Sequence, residues 1–371
     1  MSINANQIKI KVIGLGIEAK NIINLLHFQN QNIEIFEAQS DIKNFSNNEK
    51  FNQILFEYNH NLLGLDSIEQ DSQQNQNNIT KINNVINDAD FIVLIAGANG
   101  QIDNKFIPQI AQCAKKINIP TLAIVSMPCE DIYGKIERQK ALIALQNIKS
   151  AVNSYMVIDY NDLSESLDLP MTSLIELPGI IANNSLNTLF DLFYENMQTN
   201  IDFLSIKNMF MYGGQILISS GWANQQDIIT NALADEEQRA KFIAKSNNFS
   251  KMILHIKSIS ITGKQLLSIR KNIIQRYNLN EDVLDFKTAF QSGNNIKHNS
   301  INISYILSEN NLNLEQNNQI NSQINHLNSK NQISTNSENN FDITSEILLN
   351  NDDVIEEDKE EKNTPQIPIF Y

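Results

Sequence analysis

The chain has 371 residues, of which 42% are hydrophobic, enough for two cores of ordinary domain size. Its net charge of −14 argues against a nucleic-acid-binding protein, because a basic surface is needed to displace the counterions of a phosphate backbone. No apolar run approaches the ~20 residues that span a bilayer, and the first residues lack the apolar region of a signal peptide, so we expect a cytoplasmic protein without direct membrane insertion. Two cysteines without a CxxC pair and five scattered histidines predict reduced thiols and no metal site.

The first predicted unit is a strand, a glycine-bearing turn, a helix and a second strand. In chain order, these elements are a strand at 8–13, a turn at 14–16, a helix at 21–28 and a strand at 33–36. A glycine turn between a strand and a helix favours a nucleotide site, because backbone N–H groups there can approach a phosphate. The pair Gly14 and Gly16 is a weak signal by itself, since any turn of this kind may contain glycine.

A second unit of the same kind lies between residues 88 and 128. Its elements are a fully apolar strand at 91–96, a turn with Gly97 and Gly100, a helix at 108–116 and a strand at 121–126. Open α/β sheets bind ligands at the carboxyl ends of their strands, and both glycine turns fall at that edge. We therefore expect a parallel α/β sheet with a ligand site at this edge.

The rest of the chain predicts a second domain and a polar tail. A long helix at about 171–197 leads to helices at 227–246 and 264–277 and to strands at 252–259, 283–288 and 301–307. From about Ser308, asparagine, glutamine and serine dominate and an acidic run follows, a composition that predicts disorder. The predicted domains are a nucleotide-binding domain at 1–202, a smaller α/β domain at 203–308, a disordered linker at 309–363 and a terminal peptide at 364–371.

Two known families fit the glycine turns. The segment with Gly14, Gly16 and Ala19 matches the GxGxxA fingerprint of dinucleotide-binding dehydrogenases, and Glu37 sits where an acid would hold a ribose. A hydroxy-acid dehydrogenase needs a catalytic histidine in its second half, and residues 61–254 contain none. A dinucleotide-binding protein that uses Gly14, Gly16 and Glu37 remains a distant alternative.

The longer resemblance is to FtsZ, the bacterial tubulin-family GTPase of cell division. KVIGLGIEAKNIINLL resembles its first glycine loop and helix, and Ala96 to Pro128 resembles its signature loop and the following strand. Residues 200–203 resemble the start of its synergy loop, Gly214 and residues 219–223 its next helix and turn, and residues 365–371 its terminal peptide. The resemblance implies a Rossmann-like parallel-sheet GTPase domain of the tubulin/FtsZ type, a long connecting helix and a smaller α/β domain.

The resemblance also implies a GTP site with Mg²⁺. The implied nucleotide-binding residues are Gly14, Gly16, Asn21, Gly97, Gly100, Asn104, Gly134 and Arg138. Several positions depart from the family pattern: Ile17, Glu18, Ala19 and Lys20 replace a glycine run, Asp103 adds a negative charge, His60 to Leu65 hold one glycine where a third loop is expected, and Tyr133 replaces a glutamate. Bulky side chains prevent close backbone approach and carboxylates repel phosphate, so we expect GTP to bind weakly.

Two further segments bear on recognition and turnover. The guanine-reading pair falls on Gly179 and Ile180 without a gap, or on Asn183 and Asn184 after a small shift, and both alignments remain open. In the synergy loop, Asn200 and Asp202 survive as catalytic candidates, whereas Ser205 replaces the second acid. Turnover depends on charge placement around the attacking water, so we expect GTPase activity to be weak or absent. Asp202 is alternatively a helix cap.

These features predict a divergent FtsZ-like protein that assembles into filaments at the division septum, nominally with GTP. The runner-up is a pseudo-GTPase that modulates the filaments of an FtsZ paralogue. The implied partners are further copies arranged head to tail, or that paralogue, together with division proteins that dock on Pro365 to Tyr371. Within this peptide, Phe370 is the expected anchor.

Overall fold

The structure is a computed structural model, and it describes most of the chain up to Glu309. The described residues are 8–26, 30–58, 68–98, 100–159, 161, 170–195, 199, 201–224, 227–292, 296 and 299–309, with the side chains of 68–72, 101–104 and 171 left out. They all lie in one unit that ends at Glu315. The predicted third loop at 60–65, the catalytic candidate Asn200, the linker and the terminal peptide lie outside the described residues.

The first half of the described chain alternates strands and helices. Its elements are β1 (Ile10–Leu15), α1 (Gly16–Asn24), β2 (Ile33–Gln39), a 3-10 turn (Ile42–Asn44), β3 (Asn52–Leu55), α2 (Ile68–Ile86), β4 (Phe91–Gly97), α3 (Gln101–Lys116), β5 (Thr121–Met127), α4 (Glu130–Tyr133), α5 (Lys135–Ala151) and β6 (Ser154–Asp159). The six strands pair in parallel in the order β3-β2-β1-β4-β5-β6. All carboxyl ends therefore meet at one edge, as the sequence predicts.

The central strands are covered on both faces. Every residue of β4 and β5 is buried. Alternate residues of β4 enter two different cores: Phe91, Val93 and Ile95 join the core shared with α1 and α6, whereas Ile92 and Leu94 join the core beneath α2, α3 and α5. A strand with helices on both sides needs apolar residues at every position, which explains the continuous apolar run.

The second half continues the same sheet with a different strand arrangement. Its elements are α6 (Met171–Tyr194), α7 (Phe203–Met211), β7 (Gly214–Ala223), α8 (Ile228–Ala240), β8 (Phe249–Ser258), α9 (Gly263–Arg276), β9 (Asp285–Gln291) and β10 (Ile301–Glu309). The order is β7-β10-β8-β9, with β10 antiparallel to both neighbours and β9 parallel to β8. A short parallel ladder, in which Ser154 and Tyr155 pair with Gly214 and Gln215, joins β6 to β7. The predicted mostly parallel α/β fold is confirmed, whereas the domain boundary at 202/203 stays a prediction.

Several predicted elements differ from the structure. The helix predicted at 21–28 begins at Gly16 and ends at Asn24, and the helix predicted at 227–246 ends at Ala240. The predicted turn at 14–16 is wrong, because Gly14 lies within β1 and Gly16 is the first residue of α1. The positive φ of Gly16, 79°, lets the strand lead directly into the helix. The helix predicted from residue 108 begins at Gln101, and Pro108 lies inside it. The segment from Gly214 to Ala223, which resembles a helix and a turn, is a buried strand. No described helix is long and apolar enough to cross a bilayer.

Candidate functional site

The predicted glycine positions meet at the carboxyl edge of the parallel sheet. The parallel pairing of β1 with β4 places Leu15 opposite Ala96, so Gly16 and Gly97 follow side by side. Gly97 pairs in turn with Ser126 of β5, and the Ala98 N–H donates to the Ser126 carbonyl oxygen at 2.9 Å. The edge is thus built from the amino end of α1 and the last residues of β4 and β5.

The Glu18 side chain occupies the space above Gly97. Glu18 lies in the first turn of α1, and its Oε1 accepts a hydrogen bond from the Ser126 hydroxyl. A Cβ atom placed on Gly97 would lie 1.9 Å from Glu18 Oε2 and 3.0 Å from Glu18 Cβ. Burial raises the pKa of the Glu18 carboxyl, and the hydrogen bond from Ser126 opposes that rise. Glycine is therefore required at residue 97 because a carboxylate from α1 packs directly on it.

This edge does not fit the phosphate groups of GTP as it stands. A phosphate held here would need open space above Gly97 and donors aimed into that space. The space contains the Glu18 carboxylate instead, and two unit negative charges about 4 Å apart repel each other by ~4 kcal/mol near a protein surface. Among the described residues, no group of three or more His, Cys, Asp or Glu side chains could hold a metal ion.

Three cations near the predicted loops make contacts inside the protein. Lys20 Nζ donates to the Asn44 carbonyl oxygen at 2.9 Å. The Lys105 ammonium lies 4.9 Å from the centre of the Tyr58 ring. Arg138 forms a bidentate pair with Asp159, at 2.8 and 2.7 Å. The structure therefore gives each of these cations a structural partner.

The positions of the remaining predicted nucleotide-binding residues say less about whether a nucleotide fits. Asn21 is exposed on α1. Gly134, with a φ of 87°, connects α4 to α5, and a Cβ placed on it would meet no atom within 4 Å. Gly100 caps the amino end of α3. The side chains of Asp103 and Asn104 lie outside the description, so the role of Asn104 stays a prediction.

Glu37, the acid of the dinucleotide alternative, lies inside the protein. Its side chain is 0% exposed, and its carboxylate accepts hydrogen bonds from the Ser46 N–H and hydroxyl and from Gln39 Nε2. A carboxylate that is buried and already accepts these hydrogen bonds is not available to bind the hydroxyl groups of a ribose. The structure therefore gives the dinucleotide alternative no acid at its expected place.

The long helix α6 contains both candidate alignments of the base-reading pair. A Cβ atom on Gly179 would lie 2.4 Å from Leu25 Cδ1, so this glycine lets α6 pack closely on the end of α1. Ile180 is 45% exposed. One turn further, Asn183 has a buried Oδ1 with no hydrogen-bond partner among the described residues. An unpaired buried amide oxygen is costly, and the base-reading role of Asn183 and Asn184 stays a prediction.

The start of α7 contains a hydrogen-bonded chain of three side chains. Asp202 Oδ1 accepts from the Ser205 N–H at 2.8 Å, which confirms that Asp202 caps the helix. The Ser205 hydroxyl donates to Asp202 Oδ2 at 2.6 Å and accepts from Lys287 Nζ at 2.6 Å. The hydrogen bonds from Ser205 lower the pKa of Asp202. The Ser205 hydroxyl therefore connects the Asp202 carboxylate to a lysine on β9, whose charge has a smaller effect in lowering the Asp202 pKa.

Two residues of these sites escaped sequence reasoning. Ser126 is 108 residues from Glu18, and Lys287 is 82 residues from Ser205, so no local spacing connects either pair. A serine near the end of the mostly apolar strand β5 was the only available signal for Ser126. A cavity of about 210 Å³, lined in part by Ser205, Lys251 and Lys287, adjoins the second site.

Substitution of Asp202 separates capping from charge. We expect Asp202→Ala to lower the free energy of unfolding by ~1 kcal/mol, and Asp202→Asn to change it little, because asparagine caps helices as well as aspartate. Thr262→Ala is the matched control, since Thr262 caps α9 through a capping box. Chemical denaturation of the three variants provides the measurement. An equal loss for Asn and Ala at residue 202 would show that charge, not capping, stabilises this loop.

Comparison with known proteins gives a consistent picture. No protein-family model matches the chain. The chain is 26% identical over 221 residues to the cell division protein FtsZ of Mycoplasmopsis pulmonis, covering 59% of this chain and 56% of that protein. The chain thus spans little more than half the length of this curated relative.

Two solved structures share the fold. The FtsZ dimer of M. jannaschii superposes with a TM-score of 0.65 at 18% identity, over 81% of this chain and 88% of that chain. TubZ from GDP-form protofilaments of Bacillus thuringiensis serovar israelensis superposes with a TM-score of 0.63 at 12% identity, over 91% and 97%. The predicted resemblance is confirmed: the chain is similar to FtsZ in sequence over 221 residues and shares the fold of FtsZ and TubZ.

Proposed function

We propose that this chain is an FtsZ-like cell-division protein that assembles head to tail into cytoplasmic filaments at the division site, with weak use of GTP. The observation that supports this most is that a single unit carries two sites: the glycine edge around Gly16 and Gly97, and the capped loop at Asp202. The relatives with this fold include an FtsZ dimer and TubZ protofilaments. In the proposed filament, the capped loop of one copy faces the glycine edge of the next.

Turnover in such a filament would be slow. Ser205 supplies no negative charge, and its hydroxyl connects the Asp202 carboxylate to the Lys287 ammonium. Phosphoryl transfer depends on positioned charges around the attacking water and the phosphate oxygens. We therefore propose that assembly does not depend on rapid hydrolysis of GTP.

The test is assembly and phosphate release by the purified full chain with GTP and Mg²⁺. We expect light scattering and electron microscopy to show filaments, with phosphate release well below ~1 per second, the lower end of the range for kinases. Ser205→Asp should raise phosphate release only if nucleotide occupies the neighbouring copy, and Ser205→Ala is its matched control. A chain that stays monomeric at all concentrations, with and without nucleotide, would contradict the proposal.

The alternative function, modulation of a paralogue's filaments, draws only on the Glu18 contact above Gly97. Filaments formed by the purified chain alone would contradict it. Docking of division proteins on Pro365 to Tyr371 through Phe370 remains part of the proposal. Loss of septal localisation in a tagged Phe370→Ala chain is the result that would support it.

A further inference from the structure

The amino end of α1 stabilises the Glu18 carboxylate through the same physical features that would stabilise a bound phosphate. The first turn of a helix carries unpaired N–H groups and a partial positive charge, which favour a carboxylate there. The Ser126 hydroxyl adds a hydrogen-bond donor on the far side of the edge. The missing side chain of Gly97 supplies the space between them.

The neighbouring residues hold this arrangement in place. Gln39, which is fully buried on β2, donates from Nε2 to the Gly16 carbonyl oxygen at 3.0 Å and so fixes the start of α1. Ala19, the next residue after Glu18, is buried in the core, which fixes the rotation of the helix. Tyr133 lies close enough for the Glu18 charge to help raise the pKa of its hydroxyl, behind the larger effect of burial. The position of the carboxylate is therefore set by the core and not by a flexible loop.

We propose that the Glu18 carboxylate lies where a nucleotide phosphate would bind at this edge, and that it is the reason why nucleoside triphosphates bind poorly. The proposal rests on the proposed function for the identity of the ligand, a guanine nucleotide. It goes further by assigning the exclusion to one side chain rather than to the loss of glycines in general. The Ser126 hydroxyl at this edge then already has an acceptor without nucleotide.

The first experiment measures nucleotide affinity in the full chain. We expect Glu18→Ala to bind GTP roughly tenfold or more tightly than the unmodified chain, by calorimetry, because both the charge and the blocking atoms are removed. Glu18→Gln keeps the size and loses the charge, so its affinity should be intermediate. Glu49→Ala, at an exposed residue, is the control for the change in net charge and should have no effect.

The second experiment tests the contact itself, without nucleotide. Gly97→Ala should lower the melting temperature, because the new Cβ collides with the Glu18 carboxylate. In a Glu18→Ala background, the same substitution should cost less, since the carboxylate is gone. Additive losses in this double-mutant cycle would overturn the placement of Glu18.

The outcomes separate this inference from the proposed function. Unchanged GTP affinity in Glu18→Ala, in a chain that forms filaments, would overturn the role of Glu18 and leave filament assembly standing. Tighter GTP binding in Glu18→Ala without filaments in any variant would support the role of Glu18 and contradict assembly. Circular dichroism of each variant confirms that the fold is retained.

Discussion

Substitution of Gly221 by alanine should destabilise the protein by ~3 kcal/mol or more. A Cβ atom on Gly221 would lie 2.0 Å from the Ala232 carbonyl oxygen and 2.6 Å from the Glu236 backbone nitrogen. These are backbone atoms of α8, so the collision can be relieved only by moving the helix away from β7. The same helix carries the Glu236 carboxylate, which is 0% exposed, accepts a hydrogen bond from the Tyr305 hydroxyl and pairs with Arg276. A shift of α8 would therefore also disturb a buried charge, and disruption of such pairs costs ~3–5 kcal/mol.

Gly263→Ala is the matched control for this prediction. Gly263 is the first residue of α9, and a Cβ atom placed there would meet no atom within 4 Å. Its substitution should change the free energy of unfolding by less than ~0.5 kcal/mol, as expected for a surface position. Urea denaturation of both variants gives the comparison. If the two variants lost equal stability, the close contact between α8 and β7 would not be the cause.

The elements with a continuous apolar run could be predicted from the sequence almost to the residue. The strand predicted at 91–96 is β4, Phe91–Gly97, and the strand predicted at 121–126 is β5, Thr121–Met127. Burial on both faces leaves a signal at every position of such a strand, so neither register nor partner is needed to recognise it.

The strand β7 could not be predicted in the same way. Its residues Ser219, Ser220 and Gly221 are buried, although serine and glycine do not indicate a core strand. Gly221 is present because α8 crosses the sheet there, and this contact depends on the tertiary fold. A local pattern does not contain that information.

The sequence predicted individual residues of the candidate site but not which residues contact one another. The sequence indicates that Glu18 is a misplaced charge at a glycine turn, and the structure places it at that edge. Its partner Ser126 and the space above Gly97 come from the strand register, in which β1, β4 and β5 lie side by side. The pairing of Ser205 with Lys287 likewise depends on how β9 returns beside β8. Chemistry could be read from residue type, whereas the partners required the fold.

Acid should destabilise the protein through His255, a buried histidine in the middle of β8. Its side chain is 0% exposed, and neither imidazole nitrogen has a hydrogen-bond partner among the described residues. Its neighbours in the sheet are Ala289 of β9 and Ser304 of β10. Burial, together with the nearby Lys257 charge, lowers the pKa of His255 from 6.5 to about 3. The histidine is therefore largely neutral in the folded protein at pH 5 and above.

The sign of the effect follows from proton binding in the two states. Below its ordinary pKa of 6.5, His255 takes up a proton in the unfolded chain and not in the folded one, so the free energy of unfolding falls as pH falls. Between pH 7.5 and pH 5 this single group should remove about 2 kcal/mol, a window chosen above most carboxyl titrations. Denaturation at both pH values, in the unmodified chain and in His255→Phe, isolates the contribution, because phenylalanine fills similar space and does not titrate. The variant should lose about 2 kcal/mol less stability than the unmodified chain over this interval, whatever its stability at pH 7.5. Equal losses in the two proteins would show that His255 titrates normally when folded and that its nitrogens reach water or an acceptor.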